Sequence, residues 1–204
     1  GFDLDGGHPV LDFTNTVDWR GTERQHDWLA GPADFLAWGR RAGILDDGQV
    51  RDLWAYAEEH SEQASRAHGI ALRLREALFG LLKAIVENRE PRPADLELFN
   101  RQLCRAFACS ALYRRSEPRS AYRLGSSSLE NALEAFLYDL VRRAADLLTT
   151  IDPRRLKICA YQDCGWLFLD KTKNSSRRWC DMANCGNRAK AKSFYRRKRQ
   201  TAAG

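Results

Sequence analysis

The sequence predicts a mainly α-helical chain: a helical N-terminal domain with a small β-hairpin, followed by a C-terminal treble-clef-like ββα module. Three observations predict it. Apolar residues recur at three- and four-residue spacing through residues 70–86 and again through 129–148, the period of helices with one buried face. Four cysteines fall as Cys159-x4-Cys164 and Cys180-x4-Cys185, each pair ending in Cys-Gly. A lysine- and arginine-rich stretch of helical character follows immediately, from Asn187 to Arg199.

The chain opens on Gly6-Gly7-His8-Pro9, and residues 10–17 then read as a short helix with Pro9 in its first turn. Asp12, Asn15, Asp18 and Arg20 place polar side chains in this otherwise apolar segment. They suit either a pocket for a small-molecule effector or an internal capping and hydrogen-bond network. The second weighs more, because polar groups beside a helix terminus usually serve its backbone. Residues 32–42 read as a helix with Pro32 just inside its start and Gly43 at its end. Another helix is predicted from Asp46 to about His60. The clearest begins at Ile70 and carries Leu74, Leu78, Leu81, Leu82 and Ile85 on one stripe. Glu90-Pro91-Arg92-Pro93 breaks it, and residues 94–108 resume the period.

Residues 110–125 change character. Two β-prone runs, 111–114 and 121–124, flank Glu117-Pro118-Arg119, which predicts a hairpin with arginines on one face. Ser127 and Glu130 have the spacing of a capping box that opens the last and longest helix of the domain. Asp152-Pro153 ends that helix and sets the expected boundary between a domain of residues 1–152 and a module of residues 153–204.

With 204 residues and 44% hydrophobic content, the chain can bury a real core. Its net charge of +6 is unevenly spread. From Lys157 onward there are twelve Lys and Arg against three Asp, giving +9, so the remainder carries −3. A basic module on a mildly acidic body points to a polyanion partner for the module alone. No apolar run approaches the roughly 20 residues needed to span a bilayer, and no signal pattern is evident, so a soluble, cytoplasmic protein is expected.

The cysteines carry the chemistry. Cys159, Cys164, Cys180 and Cys185 can satisfy one tetrahedral zinc ion completely, leaving no open position, so the predicted site is structural. Cys104 and Cys109 lie five residues apart in a helical stretch, too far to bridge. Trp166 to Asp170 reads as an apolar strand, Asp170 to Ser176 as a turn, and Arg177-Arg178-Trp179 as the return toward Cys180. A unit this small needs the metal for much of its stability.

The segment Arg-Trp-Cys-Asp-Met-Ala-Asn-Cys-Gly-Asn-Arg-Ala-Lys-Ala at 178–191 resembles the CGNR zinc finger, named for the Cys-Gly-Asn-Arg that stands here at 185–188. Leu11-Asp12-Phe13-Thr14-Asn15-Thr16 and Ala42-Gly43-Ile44-Leu45 are similar to the ABATE domain, which precedes that finger in bacterial stress-induced transcription regulators. The resemblance implies regulation through DNA binding.

On a helix from Asn187 to Arg199, Arg188, Lys192, Tyr195, Arg196 and Arg199 fall on one side, while Asn187, Ala191 and Phe194 fall on another. The second side is expected to pack on the finger and the first to face outward. Arg188 and Lys192, near the metal anchor, are the candidates for base edges, and Arg196 to Arg199 for phosphates. Arg177, Arg178, Lys190, Arg197 and Lys198 complete the predicted DNA contacts. The expected partner is double-stranded DNA, with a homodimer and a small-molecule effector as further partners and no membrane. A zinc-stabilised protein- or RNA-binding adaptor is the alternative. Catalysis is not expected: His8, His26, His60 and His68 are scattered, with no metalloprotease helix, phosphate loop or nucleophile elbow.

Overall fold

The computed structural model describes residues 2–114, 121–126 and 132–202. The chain is mainly α, and each described strand belongs to a two-stranded antiparallel hairpin. It divides into two compact units, one of residues 29–151 and the other of residues 1–28 together with 152–204. The N-terminal segment, read from sequence as the start of the helical domain, therefore packs with the cysteine-rich module.

The unit of residues 29–151 contains α2 (Pro32–Arg41), α3 (Asp47–Glu59), α4 (Ser61–Val86), α5 (Pro93–Ala108), the hairpin β3 (Ser110–Arg114) and β4 (Tyr122–Ser126), and α6 (Ala132–Thr150). Asp46 caps α3 by accepting from the Gln49 amide at 2.8 Å, while the Gln49 side chain accepts from the Asp46 amide in return. The helix expected from Ile70 begins nine residues earlier, because Ala64, Ala67 and Ala71 extend the buried stripe with small side chains. α4 packs on α6, and Leu74, Leu78 and Leu82 of the first and Leu137, Leu140 and Val141 of the second are all buried in the core. Phe35 lies 4.5 Å from Phe136, centroid to centroid, and Trp38 6.3 Å from it. Gly39 makes this approach feasible, since a Cβ there would sit 2.5 Å from Phe136. The hairpin forms in the predicted place, but its arginines do not share a face: Arg114 pairs with Tyr122 and Arg123 with Tyr113 on the next rung, and Leu112, Tyr122 and Leu124 are exposed on it as well. Residues 117–119 of its turn and the Ser127–Glu130 capping box lie outside the described residues.

The other unit contains α1 (Pro9–Thr14), the small ladder β1 (Val17–Asp18) with β2 (His26–Asp27), the hairpin β5 (Leu156–Ile158) and β6 (Leu167–Leu169), and α7 (Asn187–Ala202). His8 caps α1, its Nδ1 accepting from the Val10 amide at 3.2 Å. Val10, Leu11 and Phe13 are wholly buried. The partner of β6 is β5, upstream of the first cysteine pair, and residues 177–179 form no strand. That corrects the expected pairing of 166–170 with 177–179.

The far edge of β6 is closed by the N-terminal segment. The Leu169 amide donates to the Gly6 carbonyl at 2.8 Å. Asn15 acts as a substitute strand: its Nδ2 donates to the Leu167 carbonyl at 2.8 Å, and its Oδ1 accepts from the Leu167 amide at 2.9 Å. The network reading of these polar residues therefore holds for Asn15, and the open edge of a two-stranded sheet is removed. Asn15→Ala would leave both Leu167 backbone groups buried without partners. It is expected to cost about 3 kcal/mol, read as a lower denaturant midpoint for the zinc-loaded protein.

Candidate metal centre and basic helix

Three local structures bring the sulfurs together. Cys159 follows β5, with its amide donating to the Trp166 carbonyl at 2.8 Å, and Cys164 closes the knuckle through a 3.0 Å bond from its amide to the Tyr161 carbonyl. Gly165 turns the chain back at φ 73°, in the left-handed region that glycine tolerates. The second pair is set differently. Asp181 accepts from the amides of Ala183 and Asn184 at 3.1 and 2.7 Å and starts a π-helical turn, Met182–Gly186, that carries Cys185. Gly186 has no left-handed backbone, and a Cβ there would meet the Met182 side chain.

All four Sγ atoms are buried and lie within 4.8 Å of one another. Cys164 to Cys180 and Cys180 to Cys185 are both 3.6 Å. Tetrahedral zinc with Zn–S bonds of about 2.3 Å requires sulfurs about 3.8 Å apart, so the arrangement fits the ion. Thiols this close compete for protons: hydrogen bonds from Cys164 and Cys180 hold Cys159 far below the ordinary thiol range, and the same bonds push Cys164 and Cys180 up. Four thiolates can coexist only around a cation. Bound zinc would supply that charge, and the Cys180 amide, 3.4 Å from the Cys159 sulfur, adds a hydrogen bond to a ligand.

Behind the sulfurs lies a charged scaffold that the sequence did not reveal. Asp170 is fully buried, and Lys157 Nζ donates to it at 2.6 Å. Thr172 donates through its hydroxyl and amide at 2.6 and 2.9 Å, and the Arg177 amide does so at 2.8 Å. Burial pushes this carboxyl up, but the bonds from Lys157, Thr172 and Arg177 outweigh it and hold it well below the usual range. Residues 170–177 therefore wrap a carboxylate, which is why they do not make a hairpin turn. The Arg177 guanidinium donates to the Trp179 carbonyl at 2.9 Å and to the Cys180 carbonyl, and stacks 4.7 Å over Phe168. It fixes the loop bearing Cys180.

Among the other predicted contacts, Arg178 is exposed and lies 5.4 Å over Trp179. Arg188, Lys190, Lys192, Tyr195, Arg196, Arg197 and Lys198 are all exposed on α7. Arg199 continues the helix, and its side chain lies outside the described residues. The expectation that Phe194 packs on the finger is corrected: it is 58% exposed, Asn187 and Ala191 are exposed too, and Ala189 and Ser193 form the half-buried positions. An alanine and a serine cover little surface, so α7 has no apolar stripe to fold back.

Asp12, Asn15 and Asp18 line one small cavity with Phe2, Trp28 and Trp166. Arg20 is not among its lining residues, and its guanidinium donates to the Thr14 carbonyl at 2.8 Å. Asp12 accepts from the Gly6 amide at 2.8 Å, yet burial pushes its carboxyl up to about 6.

The fold and site together define a four-cysteine finger with room for one zinc ion, in a chain that also carries a helical unit. Residues 155–198 match the family model of the CGNR zinc finger. Residues 7–151 match the ABATE model, described as "Putative stress-induced transcription regulator", and the chain belongs to that family. No curated protein matches the chain. Among the described residues, no helix is long and apolar enough to cross a membrane.

The two buried carboxyls predict opposite mutational effects. Asp170 is depressed, so it stabilises the fold above the ordinary carboxylate pKa, and this stability is lost only as pH falls through its lower folded value. Asp170→Asn is expected to destabilise the zinc-loaded protein by about 3 kcal/mol at pH 7, with the same deficit at pH 5. Asp12 is raised, so its charge costs stability as pH climbs from 3.8 through about 6. Asp12→Asn keeps the acceptor for Gly6 and is expected to stabilise by up to about 3 kcal/mol at pH 7, with the gain vanishing below the ordinary carboxylate range in denaturant titrations.

Proposed function

We propose that the protein is a zinc-dependent transcription regulator that contacts double-stranded DNA through α7, acts by binding and not by catalysis, and takes its signal or its dimer contacts from the rest of the chain. The observation that carries this reading is the composition and presentation of α7. The helix holds seven Lys and Arg and no acidic residue, and it starts two residues after Cys185. Its described cations are exposed. Arg188 and Lys190 stand in the first turn, where they add to the positive end of the helix dipole. An isolated helix of this composition repels itself, and a row of phosphates relieves that repulsion while releasing counterions. Phe194 and Tyr195, exposed and edge to face at 5.8 Å, add apolar surface suited to a thymine methyl or sugar.

Dimerisation fits the same reading, because a single module buries only about 600–1,000 Å² on DNA. Fluorescence anisotropy with random duplex DNA tests it. Binding is expected to weaken with salt at a log–log slope of about −4, and to vanish when a chelator removes zinc. The double variant Arg196→Ala/Arg197→Ala is expected to reduce the slope to about −2 with zinc retained. Absence of binding at low salt, or a preference for structured RNA over duplex, would overturn the DNA assignment.

A further inference from the structure

A cavity of about 640 Å³ lies within the helical unit, between the start of α3 on one side and β4 with α6 on the other. Spaces of about 300–1,000 Å³ are the size that holds a small organic ligand. Leu45, Leu53 and Phe136 make its apolar part, and six charged side chains also line it. Those charges are sorted by element. Arg123 comes from β4 and Asp139, Arg142 and Arg143 from α6, whereas Asp46 and Asp52 come from the cap and first half of α3. Arg143 and Asp139 offset one another, the Arg143 Nε donating at 2.8 Å. Two guanidinium groups therefore remain on one wall and two carboxylates on the other.

Neither guanidinium belongs to an ordinary surface arginine. The Arg142 side chain is only 8% exposed, and its contacts among the described residues are long: 3.3 Å to the Ser110 hydroxyl, 3.4 Å to the Ala106 carbonyl and 3.5 Å to Asp139, whose nearer partner is Arg143. A desolvated guanidinium gains most from a carboxylate that accepts two parallel N–H bonds at about 2.7–2.9 Å. None of these three contacts supplies that. Arg123 is placed from the other side, 4.7 Å over the ring of Tyr113, its cross-strand partner, and beside Gly125, where a Cβ would stand 2.7 Å from its Nη1. The Tyr113 hydroxyl in turn donates to the Ser126 carbonyl at 2.9 Å, which fixes the ring. Two arginines from different elements are thus held at one cavity, one of them out of water.

We infer that this cavity binds a monocarboxylate with an apolar tail, its carboxylate held by Arg142 and Arg123 and its tail lying over Phe136, Leu45 and Leu53. The α3 wall sets the rest of the specificity. Asp46 and Asp52 repel a second carboxylate at the end of the tail, so a dicarboxylate is disfavoured. An amine in the same pose meets Arg142 with like charge, and an alcohol leaves the guanidinium without an ionic partner. Every described lining residue belongs to the helical unit, so binding here stands apart from any contact of α7 with DNA.

Calorimetry of the zinc-loaded full chain with sodium octanoate, in the absence of DNA, tests the site and keeps its failure separate from failure of the DNA reading. Saturable one-to-one binding is expected. Arg142→Gln and Arg123→Gln should each weaken it about tenfold or more, while Arg66→Gln on α4, outside the cavity, leaves the affinity unchanged. Octylamine, 1-octanol and suberate should each bind at least about tenfold more weakly than octanoate. Should Arg142→Gln fail to fold, Arg123→Gln, at an exposed position, decides together with the comparison of ligands. No saturable heat, wild-type affinity in Arg123→Gln, or equal binding of the amine, the alcohol or the dicarboxylate would overturn the assignment.

Discussion

Four thiolates cannot share a buried space a few ångströms across unless a cation sits among them, and the finger is built around that requirement. The knuckle after β5 delivers two sulfurs, the π-helical turn before α7 delivers Cys185, and the loop before that turn delivers Cys180. Rigidity comes from behind, where Arg177 ties the backbone of the Cys180 loop and the buried Lys157–Asp170 pair organises the loop before it. The outward projection of α7 follows, since its first residue continues directly from the turn that carries Cys185.

What could be read from the sequence tracks how local the physics is. The cysteine spacing announces a tetrahedral site because ligand pairs and their turns are adjacent along the chain. Large apolar residues at helical spacing announce α4, yet its first nine residues escape notice because alanine at 64 and 67 gives a weak signal for a stripe that is just as buried. The partner of β6 was misplaced because Leu156-Lys157-Ile158 is too short to look like a strand, while Arg177-Arg178-Trp179 lies nearer in the chain. The Lys157–Asp170 pair and the Asn15–Leu167 exchange join residues 13 and 152 positions apart, and nothing in composition or period links such positions.

The positive charge of the C-terminal region sorts into two populations that net charge cannot separate. Lys157, Arg155 and Arg177 donate inward, to a carboxylate and to backbone carbonyls. Arg188, Lys190, Lys192, Arg196, Arg197 and Lys198 of α7 are exposed to solvent. Counting both as a nucleic-acid surface overstates the surface. The inward set is what lets the outward set be held in one place.

The finger unit is discontinuous in sequence: its first 28 residues and its last 53 are separated by the whole of the other unit. During synthesis, residues 29–151 emerge complete and can form their helical core while the N-terminal segment still lacks β6. Val10, Leu11 and Phe13, wholly buried in the finished protein, must wait exposed until the end of the chain arrives. Closing a loop of 152 residues between Asn15 and Leu167 is slow and entropically costly unless the intervening unit has already folded and shortened it. Assembly of the finger is thus timed by the helical unit, and a nascent chain cut short before β6 carries an apolar N-terminus with nowhere to go.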